Sequence, residues 1–175
     1  MTRSDFPFQV RPENPDDIQP IRQVLEMAFE RPEEADLVEA LRRRGMVTLS
    51  LVALQEGRVI GNIIFSPVSI ESPAGKFPAL GLGPLAVIPS CQKRGVGGAL
   101  IQAGVETCRI AGHPAVVLVG HPGYYRRFGF VAAAALGLTS EFEVAEEYFL
   151  VLELEPGALR GKGGTVFYQP EFHLV

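Results

Sequence analysis

The stretch ALGLGPLAVIP at 79–89 leads into CQKRGVGGAL at 91–100 and then into a helical segment reaching about Ala111. A strand that passes through a glycine-rich turn and restarts as a helix confines the chain to α/β architectures, with a helix opening at one strand's carboxyl end. Gly95, Gly97 and Gly98 leave the first helical turn without side chains. Free N–H groups and the positive end of the helix dipole make such a turn a ready phosphate site, because an anion can come close to bare backbone. The same glycines would also suit a helix packed tightly on the sheet, and from this stretch alone both readings stand. Two familiar nucleotide motifs do not apply. A dinucleotide fingerprint would need glycine where Leu100 stands, and a Walker loop would need Gly-Lys followed by Ser or Thr.

Pro84 lies in the middle of the strand-like run with glycines on either side. Proline cannot donate to a ladder, so a bulge or a lost neighbour is expected there. Upstream, a short strand is predicted at 8–10. Ile18, Ile21, Leu25 and Phe29 then follow at helical spacing, with Asp16 or Asp17 as cap and Pro20 in the first turn. A second helix starts at Pro32, with Glu33 and Glu34 in its first turn, Arg42 to Arg44 in its last and Gly45 just beyond, as the helix dipole favours. From Val47 the period changes to that of strands. Residues 47–55 and 58–68 form a hairpin about Glu56–Gly57, residues 71–78 read as a second turn, and strand four runs 79–89. The helix after the glycine turn should bury Val96, Leu100, Ala103, Thr107 and Ile110. AVVLV, YFLVLEL and TVFYQPEF read as later strands, so the class is mixed α/β with an antiparallel first half.

With 175 residues, 47% of them hydrophobic, the chain can bury a sizeable core, and one domain over 1–175 is expected. A net charge of -4 leaves no footprint for nucleic acid or an anionic membrane. The start, MTRSDFPFQV, lacks the apolar core of a signal peptide, and the longest apolar runs fall far short of the ~20 residues that span a bilayer. A cytoplasmic location is expected. Cys91 and Cys108 would sit roughly 20 Å apart along a helix, well past the ~7 Å limit for a disulfide, and are read as thiols. His113 and His173 have no clustered partners, so no metal site is expected.

In the glycine stretch, Gln92, Gly95 and Gly97 match the Q/R-x-x-G-x-G/A signature of the GNAT superfamily of acetyl-CoA-dependent N-acetyltransferases. The chain resembles its YhbS-like branch more specifically, through the ordered set SLVA, FSPV, LGPLAV, QKRGVG, YYRRFGF, YFLVLEL and PGALRGKGG. The resemblance implies the GNAT fold, a mostly antiparallel sheet flanked by helices in which strand four splays from strand five at a bulge. Acetyl-CoA is then the acetyl donor. Its pantetheine arm would pair with the backbone of Leu85, Ala86 and Val87, somewhat as an added strand would. Its pyrophosphate would face the amides of Gln92, Lys93, Arg94, Gly95, Val96, Gly97 and Gly98. Partners implied are a small-molecule or protein amine and a second copy in a homodimer.

Direct acetyl transfer needs a neutral amine, stabilisation of the developing oxyanion and a proton for the leaving thiolate. Tyr125, four residues before Gly129 in YYRRFGF, aligns with the tyrosine that the superfamily places near the CoA sulfur as general acid. Tyr124 is its less favoured neighbour, and Arg126 and Arg127 read as solvated charges before phosphate ligands. Cys91 reads as a bystander because the transfer is direct. Many superfamily members carry a glutamate on strand four, whereas ALGLGPLAV has no acid. Without a base, a lysine-like amine of pKa ~10.4 costs about 4.6 kcal/mol to present neutral at pH 7, and an α-amine near 8 only about 1.4. Glu30 and Glu71 are minor candidates at the acceptor site, and His121 stands where this branch is expected to carry aspartate. The alternative function is a non-catalytic acyl-CoA-binding or sensing domain. The missing acid speaks for the sensor and Tyr125 for the enzyme.

Overall fold

The predicted first helix forms as α1 (Ile18–Phe29), burying Ile21, Val24 and Leu25 in a computed structural model that describes residues 6–175. The reading of the first five residues as free of a leader lies outside the described part. Asp17 stands at the N-terminus of α1 yet makes no cap bond, because its carboxylate accepts from Arg11 at 2.6 Å and from the Asn14 N–H at 2.6 Å. α2 (Glu33–Arg43) ends as predicted, with Gly45 at φ +69°. The arginines at its end are tied to carboxylates elsewhere, Arg42 to Glu13 and Arg44 to Glu171.

The strands are β1 (Gln9–Pro12), β2 (Leu49–Gln55), β3 (Arg58–Ser72), β4 (Gly75–Val87) and β5 (Ala115–Val119), followed by β6 (Val131–Ala132), β7 (Leu138–Ser140), β8 (Phe149–Glu153) and β9 (Gly164–Phe167). They make one nine-stranded sheet in the order β1-β2-β3-β4-β5-β8-β6, with β9 pairing β3 and β7. Only β4 with β5 and β7 with β9 run parallel, so the expected mostly antiparallel character holds. The first strand lies later than 8–10. The second turn is also much tighter than 71–78, since Ser72 pairs directly with Gly75. Cross-strand pairing of alternating residues carries β3 and β4 through that polar stretch, where composition alone suggested a loop. TVFYQPEF is strand only to Phe167, because Pro170 opens a short 3-10 turn (Pro170–Leu174). The two-residue β6 and three-residue β7 were not anticipated, being too short to show a period.

α3 (Val96–Ile110) packs on the sheet through Val96, Leu100, Ile101, Gly104, Val105 and Cys108. The predicted stripe is corrected at its end: Ala103 is half-buried against the core, but Thr107 is exposed and Ile110 is 80% exposed. The contact that turns the helix is Gly104, where a Cβ would come 2.5 Å from the Phe65 ring, so the missing side chain, not an apolar one, marks the buried face. Both cysteines are buried free thiols.

Candidate active site

Pro84 produces the expected bulge. Ile63 faces Leu85 and Phe65 faces Leu82, so Gly83 and Pro84 together oppose the single residue Ile64. The Gly83–Pro84 peptide is cis. On the other side, β4 pairs with β5 only at Leu80 with Val116 and Gly81 with Val117. Beyond Gly81 the two strands part. In an antiparallel pair, hydrogen-bonded and non-bonded partners alternate. Ile88 N–H donates to Ile60 at 2.9 Å, so Ala86 turns its peptide groups to β3, and Leu85 and Val87 turn theirs to the open edge. Of the three residues expected along a pantetheine, the ladder leaves Leu85 and Val87 available and occupies Ala86.

The open edge runs into a cavity of about 620 Å³ lined by Leu85, Val87 and the glycine turn, together with Cys91, Tyr124 and Arg127. Gln92, Lys93, Gly95, Val96, Gly97 and Gly98 all contribute to its wall. Arg94 does not; its guanidinium lies over the Phe6 ring, 5.2 Å from the centroid. Gln92 Nε2 donates to the Val87 carbonyl at 3.0 Å and ties the turn to the strand. Gly95 caps α3 at φ +85°, a backbone state that side chains disfavour. Gly97 serves space: a Cβ there would lie 3.0 Å from the Tyr124 hydroxyl, inside the cavity. Of the three glycines, the packing reading holds for Gly98, where a Cβ would lie 3.3 Å from the Phe128 ring, whereas Gly95 has open space beside it.

α4 (Pro122–Tyr125) carries the tyrosine pair. Its start is set by His121, whose carbonyl accepts from the N–H groups of Tyr124 at 3.1 Å and Tyr125 at 3.2 Å. The His121 ring meets the edge of Tyr148 and is exposed, so this residue orients the turn through its backbone. The two tyrosine rings stand edge to face with centroids 5.0 Å apart, yet they serve different spaces. Tyr124 lines the glycine-turn cavity and lies under the Arg127 guanidinium, 4.5 Å from the ring centroid. Tyr125 lines a second cavity of about 500 Å³, and Leu85 borders both cavities. Burial, with Tyr124 a smaller contributor, pushes the Tyr125 hydroxyl up to about 12, so it holds its proton at neutral pH.

The second cavity is bounded by Leu82 to Leu85 on β4 and Val119 on β5, and by side chains that the sequence reading did not place at a site: Phe29, Glu34, Leu37, Phe142, Tyr168 and Phe172. Glu34 is only 5% exposed, and both its oxygens accept from Arg31. Its position in the first turn of α2 explained it as a dipole partner, which concealed it. Glu30 lies outside the cavity wall and Glu71 pairs with Lys76 at 3.2 Å. Arg126 lines neither cavity. Among the described residues no group of three or more His, Cys, Asp or Glu is placed to hold a metal.

A mostly antiparallel sheet that parts at a bulge beside a glycine turn is the GNAT arrangement, and the acetyltransferase (GNAT) domain family matches residues 9–133. The chain belongs to that family and is an N-acetyltransferase. Within it, the chain is 38% identical over 165 residues to the N-acetyltransferase YhbS of Escherichia coli K12, covering 94% of this chain and 98% of that protein. The crystal structure of Escherichia coli YhbS in complex with CoA matches with a TM-score of 0.91 at 36% identity, over 99% of this chain and 96% of that one. A Brucella melitensis GNAT family acetyltransferase in complex with acetyl-CoA matches with a TM-score of 0.79 at 39% identity, over 95% and 99%.

Proposed function

We propose that acetyl-CoA lies along the parted edge of β4 with its pyrophosphate on the Gln92–Gly98 turn, and that its acetyl group passes directly to an amine seated in the Tyr125 cavity. The observation that carries this reading is that Leu85 borders both cavities, with the tyrosine pair divided between them. The residues fit the cosubstrate: the turn offers amides at a helix start and Gly97 leaves open the volume that a side chain would fill.

In the transfer, the amine lone pair forms a C–N bond to the acetyl carbonyl carbon while the C–S bond breaks and its electrons go to sulfur. Tyr125 gives its proton to the thiolate and is reprotonated from solvent, and the acylated nitrogen releases its extra proton to solvent. Tyr124, on the cofactor side, shapes the thioester pocket. The sensing-domain alternative lacks a use for a protonated tyrosine on the wall of the second cavity.

Small amines, amino acids, antibiotics and protein amines are the acceptor classes to be compared. Measuring CoA release across such a panel tests the reading: release that rises with one acceptor class supports it, and binding of acetyl-CoA without release in any case overturns it. We also propose a single domain and a cytoplasmic location, the latter supported by the finding that no helix among the described residues is long and apolar enough to cross a membrane. A homodimer is proposed from apolar side chains exposed on the C-terminal strands, Val131 at 47% and Phe167 at 38%, and light scattering at micromolar concentration checks it.

A further inference from the structure

The Tyr125 cavity differs in character from the glycine-turn cavity. Five aromatic rings, those of Phe29, Tyr125, Phe142, Tyr168 and Phe172, stand on its wall together with Leu37 and Leu82. Its volume of about 500 Å³ falls within the ~300–1,000 Å³ of small-molecule sites. Among the described residues Glu34 is the only carboxylate side chain on that wall, and Arg31 occupies both of its oxygens. No described lysine or arginine side chain lines it. Among the described residues the wall thus has no free anionic side chain to gather a polycation, no cationic side chain to hold a substrate carboxylate, and no unengaged side-chain carboxylate to take a proton from a strongly basic amine. What it does offer is apolar area.

Resting on the reading given above, we infer that the acceptor is an α-amine carried beside an apolar side chain, with its carboxyl group masked as an amide, as in a hydrophobic amino-acid amide or at the amino end of a peptide. The apolar side chain is buried among Phe29, Leu37, Phe142 and Phe172. The α-amine suits a site without a base, since an amine of pKa near 8 is about 200-fold richer in its neutral form at pH 7 than one of pKa ~10.4. The amide removes the negative charge for which the wall has no partner. Bond changes are those of the transfer already described, the amine nitrogen gaining the acetyl group and Tyr125 protonating sulfur.

The test compares kcat/KM for phenylalaninamide, leucinamide, a C-terminally amidated tripeptide beginning with phenylalanine, glycinamide, free phenylalanine, 3-phenylpropylamine and spermidine at pH 7. Phenylalaninamide is expected to exceed glycinamide by at least about tenfold, the scale on which apolar pockets discriminate, and 3-phenylpropylamine by roughly 10²-fold from the neutral fraction alone. The tripeptide against the single-residue amides decides whether a peptide end or a small molecule is the source. Phe29→Ser, at a partly exposed position, and Phe142→Ser should each raise the KM for phenylalaninamide about tenfold while calorimetric affinity for acetyl-CoA stays unchanged. Equal or better use of glycinamide, spermidine or 3-phenylpropylamine overturns the inference and leaves acetyl transfer standing. Acetyl-CoA binding without transfer to any of the seven overturns both.

Discussion

The Tyr125 ring lies against Gly120 so closely that a Cβ on residue 120 would fall 2.5 Å from ring carbon Cε2. Gly120 is itself held by an N–H bond to the Tyr148 carbonyl at 2.8 Å, so the end of β5 forms a fixed seat for the ring. Gly120→Ala should displace the Tyr125 ring and its hydroxyl and lower kcat by about tenfold or more, the scale on which misplacing a proton donor is felt. Adding Tyr125→Phe to Gly120→Ala should cost little beyond Tyr125→Phe alone, because both act through one hydroxyl. Additive losses in the double variant would separate the two residues and defeat this account.

Tyr125→Phe should lower turnover by roughly 10²-fold with acetyl-CoA affinity nearly unchanged, since the ring remains. Tyr124→Phe should retain most activity. A general acid must be protonated to act, and burial pushes Tyr125 up to about 12, so the pH–rate profile should show no alkaline fall from this group below about pH 11. Equal behaviour of the two variants, or a tyrosine-dependent fall near pH 9, would remove the catalytic assignment.

Gly97→Val should weaken acetyl-CoA binding in calorimetry at least tenfold, because its Cβ would stand in the cradle 3.0 Å from the Tyr124 hydroxyl. A folded variant with unchanged affinity would show that the pyrophosphate lies elsewhere.

Gly104→Ala should reduce unfolding free energy by about 1–3 kcal/mol, the cost of overpacking, since the added carbon meets the Phe65 ring at 2.5 Å and 2.7 Å. Urea denaturation checks this. A midpoint no lower than that of the unsubstituted protein would mean that α3 shifts on the sheet at no cost.

Stability should fall on the alkaline side. Burial raises Cys108 from its ordinary 9.0 to about 11 and Tyr125 from 10.0 to about 12, so the unfolded chain loses these protons first. Each group's contribution is complete below its unfolded value and declines by up to about 1.4 kcal/mol per pH unit until the folded value is passed. Thermal midpoints should therefore drop between pH 9 and 12, and Cys108→Ala should flatten the part between 9 and 11.

Much of the molecule was legible before folding because its signals are local. Helical spacing located α1, start and stop residues bounded α2, Pro84 flanked by glycines announced the bulge, and the spacing of Gln92, Gly95 and Gly97 marked the helix start that opens on a cavity. Each follows from backbone chemistry within a few residues: what proline cannot donate, what glycine permits, which face a side chain takes. Tertiary structure decided what depends on distant partners. The buried face of α3 was misread because Gly104 joins it only by virtue of Phe65, thirty-nine positions earlier. Ala86 was grouped with Leu85 and Val87 until the register against Asn62 turned its peptide groups away. The second cavity was invisible for the same reason. Beyond Tyr125 and the β4 bulge, its wall draws scattered residues from α1, α2, β5 and the 142–144 and 168–175 segments, none marked as site residues by their neighbours in the chain. Burial, which raises Tyr125 and conceals Glu34, is a property of the packed assembly and has no local spelling in the sequence.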